Sequence, residues 1–206
     1  MASSVIHICV AKKINETLKL NEQQFYLGSI APDISKFIGE PREKTHFITE
    51  LNSDVPNISL FLEKYKSYLD DPFVLGYFVH LYTDKIWFAE FIPNKFQDTK
   101  IRLLDGTLLE VTEKQWTNLM YSDYTNVAMQ LFDYYQPDLS IFYDGFERPN
   151  DIIKELHVDK LPIFMEKAGE FIMESREEKT YIFDIKNIID FVDECNNEIL
   201  KFLQEL

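Results

Sequence analysis

Apolar residues recur along most of this chain at steps of three and four, the spacing of one face of a 3.6-residue helix. The stretch 71–92, DPFVLGYFVHLYTDKIWFAEFI, shows it most clearly. Asp71 and Pro72 form an N-cap and first-turn pair; Phe73, Tyr77, His80, Asp84, Trp87 and Phe91 then share one face. Residues 3–18 predict a second helix, capped by Ser3 or Ser4, with His7, Val10, Ala11, Ile14 and Leu18 on its apolar stripe. Phe25, Leu27 and Ile30 predict a short helix that Pro32 ends, because the residue before proline is pushed out of the helical region. Thr112 and Gln115 stand in capping-box spacing before a helix over 113–135, where Trp116, Leu119, Met120, Asp123, Val127 and Leu131 share a face. Helices near 159–175 and 184–205 carry apolar stripes that signal core rather than chemistry.

Two segments break the helical period. Residues 136–150, QPDLSIFYDGFERPN, have the Pro, Gly and Asp of a loop. Residues 101–111, IRLLDGTLLEV, centre on Asp105–Gly106, the pair preferred in type I′ hairpin turns. That hairpin would either overhang a site as a lid or cap the bundle. The pattern predicts an all-α fold, a multi-helix bundle of about seven or eight helices with a small β-hairpin insertion near 101–111. Residues 1–206 form a single domain in this reading.

Composition sharpens the picture. The chain is 46% hydrophobic, with 17 Phe and 11 Tyr, ample for a core. No run approaches the ~18–20 apolar residues of a membrane span, so no integral membrane association is expected. No basic segment precedes an apolar one at the N-terminus, so no secretory signal is expected. Cys9 and Cys195 have neither metal nor redox spacing, which fits a reducing, cytoplasmic home. The net charge of −14 disfavours nucleic acid and anionic membrane surfaces alike. The acidic run from Glu174 to Glu178 reads as a solvated helix end, and His157, alone in its segment, as structural or surface.

The chemistry lies in the interruptions of the apolar stripes. His80 and Asp84 stand one turn apart on an otherwise apolar face, and a buried carboxylate is costly unless its charge is compensated. They are either a hydrogen-bonded core pair or two ligands of one metal ion. His7 lies on the centre line of its own stripe. Asp33 follows Pro32 as an Asx-turn residue or a ligand, and His46 falls in a loop that Phe47 can anchor.

In this order the segments H-x3-A, LGSIAPD, THF and GY-x2-H-x3-D-x2-W, spread over roughly residues 5–92, resemble the zinc-dependent phospholipase C family of the phospholipase C / P1 nuclease superfamily. The likeness is to its small, non-secreted bacterial branch. It implies an all-helical fold and a cluster of two or three zinc ions. By position, Asp33, His46, His80 and Asp84 would hold the first zinc. Asp84 would bridge to a second zinc that His7 also binds. In the secreted members the N-terminal amine and carbonyl complete that second site; the run from Met1 to His7 is shorter here.

The third site departs from the family pattern. Glu90 stands six residues after Asp84, where the family has a His, and no later H-x3-E follows. Asp123 is the substitute, because it interrupts the apolar stripe of its helix. Glu90 also reads as a solvated edge residue, and Asp123 as a rim carboxylate bonded to a tyrosine. With both as ligands, the third site would be carboxylate-rich and open to iron, manganese or magnesium. Cations a few ångströms apart would clamp a phosphoester and activate a bound water, with Asp33 as a candidate general base.

Three functions follow as expectations. The first is a metal-dependent phosphoester hydrolase acting on a small or soluble phosphodiester or phosphomonoester. The second is a catalytically idle relative that binds metal or a small anion. The third is a helical HD-type phosphohydrolase, which ranks last because no adjacent His-Asp dipeptide occurs.

Overall fold

The computed structural model describes residues 2–51, 53–175 and 179–206. The helices in chain order are α1 (Ser4–Leu18), α2 (Glu22–Ile30), α3 (Ser35–Ile38), α4 (Arg42–Thr45), α5 (Ile58–Tyr65), α6 (Pro72–Ile86), α7 (Glu113–Tyr135), α8 (Ser140–Tyr143), α9 (Leu161–Met173) and α10 (Ile185–Glu205). The fold is all-α with one small antiparallel sheet. No helix among the described residues is long and apolar enough to cross a membrane. Residues 176–178 of the acidic run lie outside the described residues.

Local chemistry sets the helix ends. The Ser3 hydroxyl accepts from the Ile6 amide at 3.3 Å, and the Asp71 carboxylate accepts from Phe73 and Val74 at 2.9 and 3.2 Å. Thr112 and Gln115 close the expected capping box. Pro32 does not stop the chain from coiling. Ala31–Ile34 continue as a 3-10 turn straight into α3, so Asp33 sits inside a helical turn rather than an Asx turn. The helix expected to run to 92 ends at Ile86 and widens into a π-turn over Trp87–Phe91. There Trp87 packs among Phe91, Phe183 and Phe191, with ring centroids 4.5, 5.7 and 5.0 Å away.

Two glycines decide the central contact. A Cβ on Gly28 would stand 2.1 Å from the Phe73 carbonyl oxygen, and one on Gly76 would stand 2.2 Å from that of Phe25. α2 and α6 therefore touch backbone to backbone, which only hydrogen side chains permit. α1 covers this pair and packs in turn on α7 and α10, and α10 also reaches α6. On α10, Ile188, Phe191, Val192, Cys195 and Ile199 are all buried, and complete burial of such an aliphatic or aromatic side chain contributes about 1.5–3 kcal/mol.

The β insertion has three strands, Phe96–Gln97 (β1), Lys100–Arg102 (β2) and Leu108–Glu110 (β3), in antiparallel order β1-β2-β3 with Ile101 opposite both Phe96 and Leu109. The β2–β3 turn is not type I′. Of its residues only Gly106 has a positive φ, 87°, and its amide donates to the Leu103 carbonyl at 3.0 Å. That is a type I turn followed by a left-handed glycine, the three-residue hairpin solution. The sheet is a cap: the Leu104 amide donates to the Tyr181 carbonyl at 2.8 Å, and no residue of the sheet lines the cavity beside the histidines.

Candidate metal centre

Four segments carry the site. α1 brings His7, the 3-10 turn brings Asp33, the C-terminal end of α4 brings His46, and α6 brings His80 and Asp84. All five residues are at most 3% exposed. His46, expected in a loop, is fully buried because Phe47, at a left-handed φ of 55°, turns the chain and packs its ring against Phe61 and Tyr65.

The imidazoles are locked from behind. Nδ1 of His80 lies 2.8 Å from the Ser29 carbonyl oxygen. A carbonyl only accepts, so Nδ1 carries the proton and Nε2 keeps its lone pair. The close Gly28–Gly76 crossing is what brings Ser29 within reach. Nδ1 of His46 lies 3.0 Å from the Thr45 hydroxyl, which itself donates to the Arg42 carbonyl. With the Thr45 proton on the Arg42 carbonyl, Nδ1 of His46 donates to the hydroxyl, and its Nε2 then offers a lone pair to an ion.

Those two Nε2 atoms face each other at 3.2 Å. Around them stand Asp33 Oδ1, at 3.5 Å from His46 and 3.8 Å from His80, and Asp84 Oδ2, at 3.6 and 3.9 Å. Ligand atoms ~2.0–2.1 Å from a tetrahedral zinc are separated by about 3.4 Å, close to each of these His–His and His–Asp spacings. The two carboxylates fall in different overlapping triads, His7–Asp33–His80 and His46–His80–Asp84, each with ligand atoms within 4.8 Å of one another. Oδ1 of Asp84 turns the other way, to His7 Nε2 at 3.4 Å. One carboxylate thus presents its two oxygens to two sets of imidazoles. His7 stacks on His80 at 3.7 Å, and neither of its ring nitrogens has a hydrogen-bond partner. Asp33 Oδ1 likewise has none.

Electrostatics leave this donor set in its ligand form. Burial would raise the Asp33 carboxyl, but His46, His80 and His7 outweigh it and hold the group at about 2. Burial is likewise overcome at Asp84, which is held well below the usual carboxylate range with His7 and His80 contributing. Burial pushes His46 below its ordinary value, and burial with the neighbouring His7 pushes His80 well below it. Neutral imidazoles with bare lone pairs among ionised carboxylates, closed from water, are what a divalent cation satisfies. Buried His/Asp groups of this chain could therefore hold a metal ion; their geometry does not identify it.

Two expected ligands lie elsewhere. The Asp123 carboxylate accepts three backbone amides, Tyr181 at 2.8 Å, Ile182 at 2.6 Å and Phe183 at 3.1 Å. It interrupts its apolar stripe to fasten the segment before α10, not to bind an ion with the histidines. Glu90 is exposed and sits with Glu194 and Glu198.

Some site residues carried no sequence signal. Arg42 places Nη2 at 2.7 Å from Asp84 Oδ2 and Nη1 at 2.8 Å from Asp54 Oδ1, with its guanidinium over Phe88 at 5.0 Å. The Ala2 amide donates to Asp84 Oδ1 at 3.0 Å. Ser29 and Thr45 act through backbone and hydroxyl groups that no motif marks. Gly28 and Gly76, each inside a helical pattern at a cost against alanine, are the signal that could have pointed to the close crossing.

A cavity of about 330 Å³ opens beside the cluster. Ala2 and Asp33 lie at the cluster side, with Lys36, Phe37, Tyr121 and Phe171 among its other walls. No protein-family model, no curated protein and no solved structure matches the chain. The functional reading therefore rests on the residues and their geometry.

Proposed function

We propose that this protein is a metal-dependent phosphoester hydrolase whose centre is built from His7, Asp33, His46, His80 and Asp84, with zinc as the expected ion. The observation that carries the reading is the 3.2 Å approach of the His80 and His46 Nε2 atoms between two buried carboxylates. Cations bound there would neutralise a phosphoester's oxygens and lower the pKa of a bound water. The chain supplies the rest. Ser29 and Thr45 fix the two imidazoles, Arg42 and the Ala2 amide hold the Asp84 carboxylate, and Asp33 reaches the cavity. Asp33, held ionised by the neighbouring histidines and lining the cavity, is placed to accept a hydrogen bond from the attacking water. The proposed substrate is a small, soluble ester and not nucleic acid, given the net charge of −14.

Arg42 favours a second reading. Its guanidinium already neutralises one oxygen of Asp84 at 2.7 Å, which suits a metal-binding relative without turnover. Elemental analysis of wild type beside His80→Ala, with a chromogenic phosphodiester and phosphomonoester assay, tests both. Two or three equivalents of metal, lost in the variant together with turnover, support the hydrolase. Metal without turnover of any ester supports the idle relative. No metal, and no thermal stabilisation by added zinc or manganese, removes both.

A further inference from the structure

The cavity beside the cluster has a chemistry of its own. Lys36 follows Asp33 by three residues, so both project to one side of the continuous 3-10 turn and α3. Its ammonium donates to the Tyr121 hydroxyl at 2.8 Å and lies 4.6 Å from the centroid of that ring. An ammonium has three donors, and the tyrosine uses one. The ammonium of this exposed side chain is thus directed to the cavity wall with two donors to spare. Across the cavity Lys167 stands with Glu170 and Glu174. The two lysines cancel those two glutamates, so the rim is neutral in a chain of net charge −14. Between rim and floor the walls are rings, Phe37 and Phe171 with Tyr121. At the floor Asp33 is 3% exposed, and its Oδ1 lacks a hydrogen-bond partner. The volume of about 330 Å³ lies at the low end of small-molecule pockets, ~300–1,000 Å³.

We propose that this cavity is the substrate pocket of the hydrolytic site assigned above, on which the inference rests. It takes a small phosphate ester carrying a flat apolar group, with Lys36, pinned by Tyr121, binding an anionic oxygen and the rings of Phe37 and Phe171 receiving the organic part. A bilayer lipid or a nucleic-acid strand does not fit this combination of size and neutral rim.

Calorimetric titration of the zinc-loaded protein with phenyl phosphate and with inorganic phosphate tests the pocket without requiring turnover. Phenyl phosphate should bind about tenfold more tightly than inorganic phosphate, the worth of a partly buried ring. Lys36→Met should weaken phenyl phosphate at least tenfold with metal content unchanged, and Lys36→Arg should restore most of the loss. If the hydrolytic reading fails, no ester is turned over, yet this binding and its dependence on Lys36 persist. If the pocket is misassigned, wild type fails to bind phenyl phosphate or Lys36→Met binds it equally well, whatever the turnover. Hydrolysis of phosphatidylcholine vesicles or of a single-stranded oligonucleotide faster than phenyl phosphate would also overturn the assignment.

Discussion

Replacing Gly76 with alanine puts the link between backbone packing and the metal centre under direct test. The new Cβ would meet the Phe25 carbonyl oxygen at 2.2 Å, the Ser29 nitrogen at 2.9 Å and Gly28 Cα at 3.1 Å. An ordinary carbon–oxygen contact is above 3 Å, so α2 and α6 must separate by about 1 Å. The partner atoms are backbone and cannot swing aside. The 2.8 Å contact from His80 Nδ1 to the Ser29 carbonyl would stretch past hydrogen-bonding range. Overpacking of this kind costs about 1–3 kcal/mol and the lost hydrogen bond about 1 kcal/mol. Alanine's better helix propensity returns about 1 kcal/mol. The net is roughly 1–3 kcal/mol, or a fall in Tm of roughly 2–12 °C for a chain of this size. Loss of the contact that orients a metal-binding imidazole lowers metal affinity about 10–100-fold. Differential scanning calorimetry and competitive zinc titration read the two effects. Gly169→Ala is the control. Its Cβ would meet only side-chain atoms of Tyr143 and Phe142, at 3.3 and 3.4 Å, and the Phe142 carbonyl at 3.7 Å, so its stability should move by less than about 1 kcal/mol. A Gly76→Ala protein with wild-type Tm and zinc affinity would show that the crossing is not what positions His80.

Other consequences separate structure from chemistry. Asp123→Ala leaves three backbone amides without their acceptor, at about 3–5 kcal/mol; urea unfolding should register it while metal content stays constant, and loss of metal in the folded variant would return Asp123 to the ligand set. Glu90→Gln should change neither metal content nor turnover, measured by elemental analysis and a chromogenic ester. The metal-free protein should lose stability in acid. His46 and His80 are held below their ordinary 6.5, so the unfolded chain binds protons there that the folded chain resists. Their contribution is full above pH 6.5 and falls as pH drops below it. Asp33, at about 2 against an ordinary 3.8, adds a further loss between those values. Urea midpoints at pH 7.5, 6 and 5 check this, and a midpoint that is constant or rises toward pH 5 contradicts it.

Much of this protein is written locally. The N-caps at Ser3, Asp71 and Thr112 and the helices they open follow from side chains that reach amides two or three residues away, so short-range chemistry in the sequence determined them. The same holds for His7, His80 and Asp84 as anomalies, since a polar group on an apolar helix face is visible from periodicity alone. Helix α5 lies outside the helices the pattern predicts: Asn57 caps it and Ile58, Phe61, Leu62 and Tyr65 carry helical spacing, but over 8 residues only. Asp123 shows the limit of the anomaly argument. A buried carboxylate must be compensated, but the sequence does not say whether by a cation or by three amides about sixty residues away. Tertiary structure alone decided that, as it decided that Arg42 neutralises Asp84 from 42 residues away and that Asp33 and His46 meet His80. It also decided which imidazole nitrogen keeps its lone pair, because the Ser29 carbonyl reaches His80 only where two glycines let α2 and α6 touch. Periodicity reports which face of a helix is buried; what that face meets depends on distant backbone, and hydrogen bonds and Coulomb forces act over a few ångströms of space, not of sequence.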